Sequence, residues 1–254
     1  MHTISIEGFS FHGMLREGTM DLFHQLESIR YRYGLQAVGI WNGFLASTED
    51  AYLAKVRQAL DEKAMTVPSL ACDWCAVWAD DEAEREKQHQ NALANIKAAK
   101  ALGAKSLRID WGIQQDTITD EELAFIAKRY NEYCRLAEDF GCVVGPENHF
   151  GASRDPELML RMVEAVNHPS YKLLLHVQRW ISGRDTADER LAPHAAHVHV
   201  NAETLTAEKL QSMTAAGYAG GWGIEHGAGS DEYRVTQEQL DAVKLVLGAS
   251  PALK

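Results

Sequence analysis

The chain changes periodicity again and again, and this constrains its fold more than any other feature. Eight short apolar or β-branched runs alternate with eight stretches of helical spacing. The runs are TISIEGFSF (3–11), LQAVGIWN (35–42), AMTVPSLACD (64–73) and AKSLRIDWG (104–112), then CVVGPENHFG (142–151), YKLLLHV (171–177), AAHVHVNAE (195–203) and GGWGIEH (220–226). Helical spacing fills 20–34, 47–63, 80–103, 119–141, 155–166, 186–191, 206–217 and 230–248. Several of these carry start and stop signals. Thr119 stands three residues before Glu122 as in a capping box, Pro156 opens a first turn, and Gly34 and Gly103 close two helices. Strands that alternate with helices run parallel, and eight such units predict a single (β/α)8 barrel domain over 1–254. An open dinucleotide-binding sheet is disfavoured, because no Gly-x-Gly-x-x-Gly follows the first run.

Composition narrows the partners. The net charge of -11 disfavours nucleic acid, which needs clustered Lys and Arg. No run of 18 apolar residues exists, so no membrane helix is expected. The first residues lack a basic segment followed by an apolar one, which predicts no signal peptide and a cytoplasmic location. Of the four cysteines, Cys72 and Cys75 have CxxC spacing, but no second pair follows to complete a zinc site, and a buried reduced pair is expected.

A barrel carries its chemistry at the C-terminal ends of its strands. Polar residues there include His12, Trp41, Asn42, Asp73, Trp74, Asp110 and Trp111. Further on come Glu147, His149, His176, Gln178, Arg179, His199, Glu225 and His226. Alternation along a strand places Glu147 with Gly145, His176 with Leu174, His199 with His197, and Glu225 with Gly223. Four consecutive strands can then aim Glu147, His176, His199 and Glu225 into one mouth. Two imidazoles and two carboxylates suit one divalent ion of manganese, iron, cobalt or zinc. His197 lies two residues deeper and fits a supporting role, and Arg108 is a candidate partner for an inward Glu. Tryptophans at strand ends, Trp111 among them, suit the apolar faces of a carbohydrate or cyclic polyol, or else pack helices onto the barrel. His149 and His226 either touch substrate or cap loops.

The segments GPENHFG, HVHVNAE and GGWGIEH, in this order and within eight repeats, resemble the xylose isomerase-like barrel superfamily. The nearest likeness is to its sugar phosphate isomerase/epimerase group, with inosose isomerases and ketose 3-epimerases. The resemblance implies a metal held at Glu147, His176, His199 and Glu225, with Glu147 and Glu225 exchanging the substrate proton. It implies substrate contacts at the strand ends, for which His149, Arg179, Trp111 and His12 are the candidates, and a homo-oligomer. Three departures stand out. His176 replaces the usual Asp, Arg179 replaces a substrate-binding His, and Trp41 and Asn42 stand where relatives carry a strand-two carboxylate. No phosphate cradle appears, which with the acidic charge points to an unphosphorylated sugar, keto-sugar or inosose. A lyase acting on a related keto-polyol, or a metal-free barrel that only binds, are the alternative expectations.

Overall fold

Each of the eight apolar runs contains a short parallel strand, and helices return the chain between them. The computed structural model describes residues 2–249. In chain order the elements are β1 (Ile4–Glu7), α1 (His12–Arg16), α2 (Leu22–Glu27), β2 (Val38–Trp41), α3 (Asp50–Glu62) and β3 (Ser69–Cys72). Then come α4 (Glu82–Leu102), β4 (Ser106–Ile109), α5 (Asp120–Glu138), β5 (Val143–Gly145), α6 (Pro156–Val166) and β6 (Leu173–His176). The described residues end with α7 (Ala187–Leu191), β7 (Ala195–Val200), α8 (Ala207–Ala215), β8 (Gly221–Ile224) and α9 (Glu232–Ala249). The strand order is β5-β4-β3-β2-β1-β8-β7-β6, all neighbours parallel. Bridges Val144↔Tyr171 and Glu147↔Leu174 bring β5 beside β6 and complete a (β/α)8 barrel.

Strand alternation divides the core into two parts. Ile6, Val38, Ile40, Leu70, Leu107, Ile109, Leu175, Val198 and Ile224 are buried between sheet and helices. The helices answer with apolar stripes. In α5, Leu123, Ile126, Ala127, Tyr130, Cys134 and Ala137 recur at three- and four-residue spacing and are buried. The capping box expected at its start is present, with Thr119 and Glu122 bonded reciprocally. Barrel interiors are usually filled by branched apolar side chains. This one instead buries Ser5, Glu7, Ser69, Arg108, Glu147, His176, His197 and His199.

The strands are shorter than the apolar runs suggest, for local reasons. β3 begins only after Pro68, which has no N–H to give a ladder. β1 stops at Glu7, and residues Gly8–Phe11 wind into a 3-10 turn. Gly8 makes this possible, since a Cβ there would lie 2.8 Å from the Trp41 nitrogen. The helix expected over 20–34 also splits, with α2 followed by a wider π turn at Ser28–Arg32. All four cysteines are buried and unpaired. Among the described residues no helix is long and apolar enough to cross a membrane.

Candidate metal centre and its cavity

The ends of β5, β6, β7 and β8 bring Glu147, His176, His199 and Glu225 together. One donor atom from each lies within 4.8 Å of the others. His176 Nδ1 is 3.2 Å from Glu147 Oε1 and 3.3 Å from Glu225 Oε2. His199 Nδ1 is 3.8 Å and 3.4 Å from the same two oxygens. His199 is buried, yet its Nδ1 has no hydrogen-bond partner. A buried nitrogen aimed at two carboxylates and left unbonded is what a metal-ligand site requires. These four residues could therefore hold a cation.

Local structure fixes this arrangement. The β5–β6 seam has few ladder bonds, and Asn148 bridges it instead. Its Nδ2 donates to the His176 carbonyl at 2.9 Å, and its Oδ1 accepts from the His176 N–H at 2.6 Å. Asp110, at the end of β4, accepts from the Glu147 N–H at 3.1 Å. After β6 the chain turns sharply, with Gln178 at φ +65°. Buried Asp188 holds this turn by accepting from the Gln178 N–H at 3.2 Å and from Trp180 Nε1 at 2.7 Å. The turn ends the strand alternation, so Arg179 rather than Gln178 reaches the mouth. Arg179 Nη1 donates to Glu147 Oε1 at 2.7 Å, and Nη2 lies 3.9 Å from Glu225 Oε2.

Beneath the four donors lies a carboxylate that sequence reasoning passed over. Glu7 accepts from Ser5 Oγ at 2.7 Å and sits 3.0 Å from His197 Nε2. Its other oxygen is 3.5 Å from His199 Nε2. It thus faces the ring nitrogen opposite the one in the donor cluster, where a carboxylate fixes tautomer and ring orientation. Glycines make the room for it. A Cβ on Gly39 would lie 1.7 Å from Glu7 Oε2, and one on Gly223 2.2 Å from Oε1. The signal was present in the sequence: Ser5 and Glu7 alternate with Ile4 and Ile6, which is the pattern of an inward carboxylate.

Charge at the mouth is finely opposed. Burial alone would raise the Glu7 carboxyl, but the His197 and His199 imidazoles outweigh it and hold the group at about 2. Burial also works against ionised Glu147, and the His176 hydrogen bond with the nearby His199 and His149 carries its pKa below the usual range. Glu225 is lowered in the same way by His199 and His176. His199 is the converse: burial would discharge it, and Glu225 and Glu7 raise it well above an ordinary imidazole. Arg108 anchors the neighbouring wall. It donates to Asp110 at 2.5 Å and to Asp73 at 2.9 Å, and its Nε is 3.7 Å from Glu147.

The remaining candidates divide. His149 lines the cavity, and its Nδ1 is 2.9 Å from Asp110 Oδ2. Burial lowers its pKa, but the Asp110 hydrogen bond and the nearby carboxylates raise it overall. Trp111, expected at the mouth, is only 1% exposed and packs in the core between barrel and helices. The reason is alternation, because Asp110 takes the inward position and its neighbour must face outward. His12 stands behind the mouth. It stacks on Phe9 at 4.4 Å and lies 3.5 Å from buried Glu232, whose carboxylate accepts from the Gly13 and Met14 N–H groups. His226 serves its loop, with Nε2 2.9 Å from Thr236 Oγ1. Trp41 and Asn42, which stand where a strand-two carboxylate was expected to be missing, hold Asp73 of the next strand end. Trp41 Nε1 donates to Asp73 Oδ2 at 2.8 Å, and Asn42 bonds the Asp73 backbone.

An inner cavity of about 70 Å³ is lined by Glu7, Phe9, Trp41, Glu147, Arg179 and Glu225. An outer one of about 550 Å³ adjoins it, with Asp73, Arg108 and His149 in both linings. None of the curated proteins matches the chain in sequence. Solved structures resemble it closely in fold. A xylose isomerase-like TIM barrel protein from Mycobacterium smegmatis, in complex with magnesium, superposes with a TM-score of 0.76 at 16% identity, covering 97% of each chain. The 3-keto-D-glucoside 4-epimerase of E. coli superposes at 0.75 and 14% identity, covering 98% of this chain and 100% of the other. D-allulose 3-epimerase from Methylomonas sp. superposes at 0.76 and 15%, covering 96% and 98%. At such identities the likeness is one of fold. The sequence profile described as xylose isomerase-like TIM barrel matches residues 31–231, most of the chain, and the protein belongs to that family.

Proposed function

We propose that this protein is a metal-dependent isomerase or epimerase. It moves a proton next to a carbonyl in an unphosphorylated sugar, keto-sugar or inosose. The observation that carries this is the placement of Glu147 and Glu225, which follow β5 and β8 and reach one point from different strands, with one oxygen of each 3.2 and 3.3 Å from the same nitrogen, His176 Nδ1. Two carboxylates so placed can face a substrate carbon from two directions, one taking a proton and the other returning it.

The donor set of Glu147, His176, His199 and Glu225 fits manganese, iron, cobalt or zinc, and buried His199 Nδ1, which has no hydrogen-bond partner, faces this set. When bound, the ion would supply Lewis-acid stabilisation of the negative charge that develops on the substrate's carbonyl oxygen. The protein's own groups do the rest. Glu147 and Glu225 are held ionised at neutral pH and are ready to accept a proton. Arg179 and His149 present N–H donors towards the cavity and orient hydroxyl groups. Asp73, Asp110, Glu147 and Glu225 around Arg108 and Arg179 make a lining that disfavours a phosphate.

One contact supports a second reaction. The Asp110–His149 pair at 2.9 Å, with the imidazole pKa raised, can hold a proton for a departing hydroxyl or alkoxide. The same proton abstraction would then end in elimination. Proton NMR of manganese-loaded protein with keto-sugars or inososes in deuterated water distinguishes the two. Solvent deuterium entering next to the carbonyl with a change of isomer is expected, and loss of water or an alcohol instead assigns a lyase. Glu147→Gln and Glu225→Gln should each slow the exchange about 100-fold or more. Unaltered exchange in both variants contradicts the proton-transfer reading.

A further inference from the structure

Resting on that proton-transfer reading, we propose that the outer cavity is a subsite for a second pyranose ring, so that the preferred substrate is a glycoside rather than a free sugar. The two cavities adjoin. Asp73, Arg108 and His149 line both. The inner one, about 70 Å³, holds little more than the reacting segment beside Glu147 and Glu225. The outer one, about 550 Å³, is in the size range of whole ligand sites. A substrate reaching the donor cluster therefore lies largely in the outer space.

Aromatic rings run from one cavity into the other. Phe9 packs edge-on to Trp41 at 5.4 Å, and Trp41 is followed by Trp74 at 6.3 Å. Trp74 is 64% exposed and has a left-handed backbone at φ +56°, an unfavourable conformation for a bulky residue. The surrounding structure holds it there. Asn91 Nδ2 donates to the Trp74 carbonyl at 3.0 Å, and Asn42 bonds the Asp73 backbone on both sides at 2.9 Å. A large apolar ring kept out of the core by strained, pinned backbone is suited to present its face to a ligand. On the far wall Trp78 is fixed by its N–H donating to the Trp111 carbonyl at 2.7 Å. Gly112, at φ +91°, lets the chains approach there, since a Cβ would lie 2.0 Å from the Trp78 carbonyl oxygen.

The polar lining chooses the occupant. Asp73, Asp80 and Asp110 line the outer cavity with one guanidinium, that of Arg108, which already serves Asp73 and Asp110. An anionic group would meet three carboxylates and a single guanidinium already engaged by two of them. A neutral ring with hydroxyl donors at its edge and C–H groups on its face satisfies both the acids and the indole.

The test separates binding from reaction. Manganese-loaded protein is titrated calorimetrically with cellobiose and with methyl β-D-glucoside. In parallel, deuterium exchange is followed with methyl 3-keto-β-D-glucoside and 3-keto-cellobiose. The subsite predicts cellobiose binding at least tenfold tighter than the methyl glucoside. Trp74→Ala should remove at least fivefold of the disaccharide affinity and less than twofold of the other, and Trp74→Phe should restore most of it. Thermal melting checks that the variants fold. Equal binding of the two sugars, or a Trp74→Ala loss equal for both, overturns the subsite. The disaccharide preference with no exchange in either keto-sugar keeps the subsite and sinks the proton-transfer reading. Exchange without the preference does the reverse.

Discussion

His176 illustrates how far single residues can be read. It closes an apolar strand, and alternation with Leu174 turns it inward beside Glu147 and Glu225. Glu147, His199 and Glu225 were legible in the same way, because each sits at a strand end in phase with a small or inward residue. For Glu7 the alternation marks only an inward side chain and not its role, because its partners His197 and His199 lie about 190 residues away and only barrel closure joins them. Trp111 misled because aromatic character at a strand end says nothing about side; the inward Asp110 before it does. The glycines opposite Glu7 carry a residue-scale prediction. Gly39→Ala puts a methyl 1.7 Å from the carboxylate, so Glu7 must move or the strands must part. Denaturant unfolding should show a loss of about 1–3 kcal/mol. Stability equal to that of the wild type would mean that Glu7 is not held as described.

At the scale of elements, helices were easier to read than strands. Capping signals are local: Thr119 caps its helix and Pro156 opens α6 as the chain implies, with Asp155 as the cap before it. Strand ends are set by contacts across the sheet, so the runs at 3–11 and 64–73 overstated β1 and β3. The β5–β6 seam is the clearest case: its few ladder bonds are supplemented by one side chain, Asn148, which the sequence offers merely as the residue after Glu147. Asn148→Ala removes two buried hydrogen bonds to the His176 backbone, at 2.9 and 2.6 Å, and leaves the N–H unpaired and the carbonyl with only the Arg179 N–H at 3.2 Å. A cost of about 1–3 kcal/mol is expected. Each kcal/mol corresponds to roughly 2–4 °C in Tm for a chain of this size. Calorimetry of the variant with and without manganese checks this, and an unchanged Tm would show that the seam does not depend on Asn148.

At the scale of the whole molecule, eight-fold alternation made the barrel legible, while the polar interior emerged only when the strands were closed into a ring. That interior ties stability to pH. Glu7 is held at about 2, below its ordinary 4.5, and Glu147, Glu225 and Asp110 are also lowered. Groups lowered on folding stabilise above their unfolded pKa, and that contribution is lost as pH falls through the folded value. His199, raised on folding, has the opposite sign: its contribution is complete below 6.5 and is lost as pH rises through its folded value. Protein stripped of metal should therefore keep its Tm between about pH 5 and 6.5 and lose it steeply below about 4.5. A Tm that is level down to pH 3 contradicts this picture of the interior.

Glu147, His176, His199 and Glu225 are proposed to form one cation site. Metal content, measured on protein purified without chelators and then equilibrated with manganese, cobalt or zinc, tests it most directly. One tightly held ion per chain, a rise in Tm on loading, and loss of both in His176→Ala are expected. A chain that holds no stoichiometric ion and melts at the same temperature in all three metals, or a His176→Ala variant that loads fully, contradicts it.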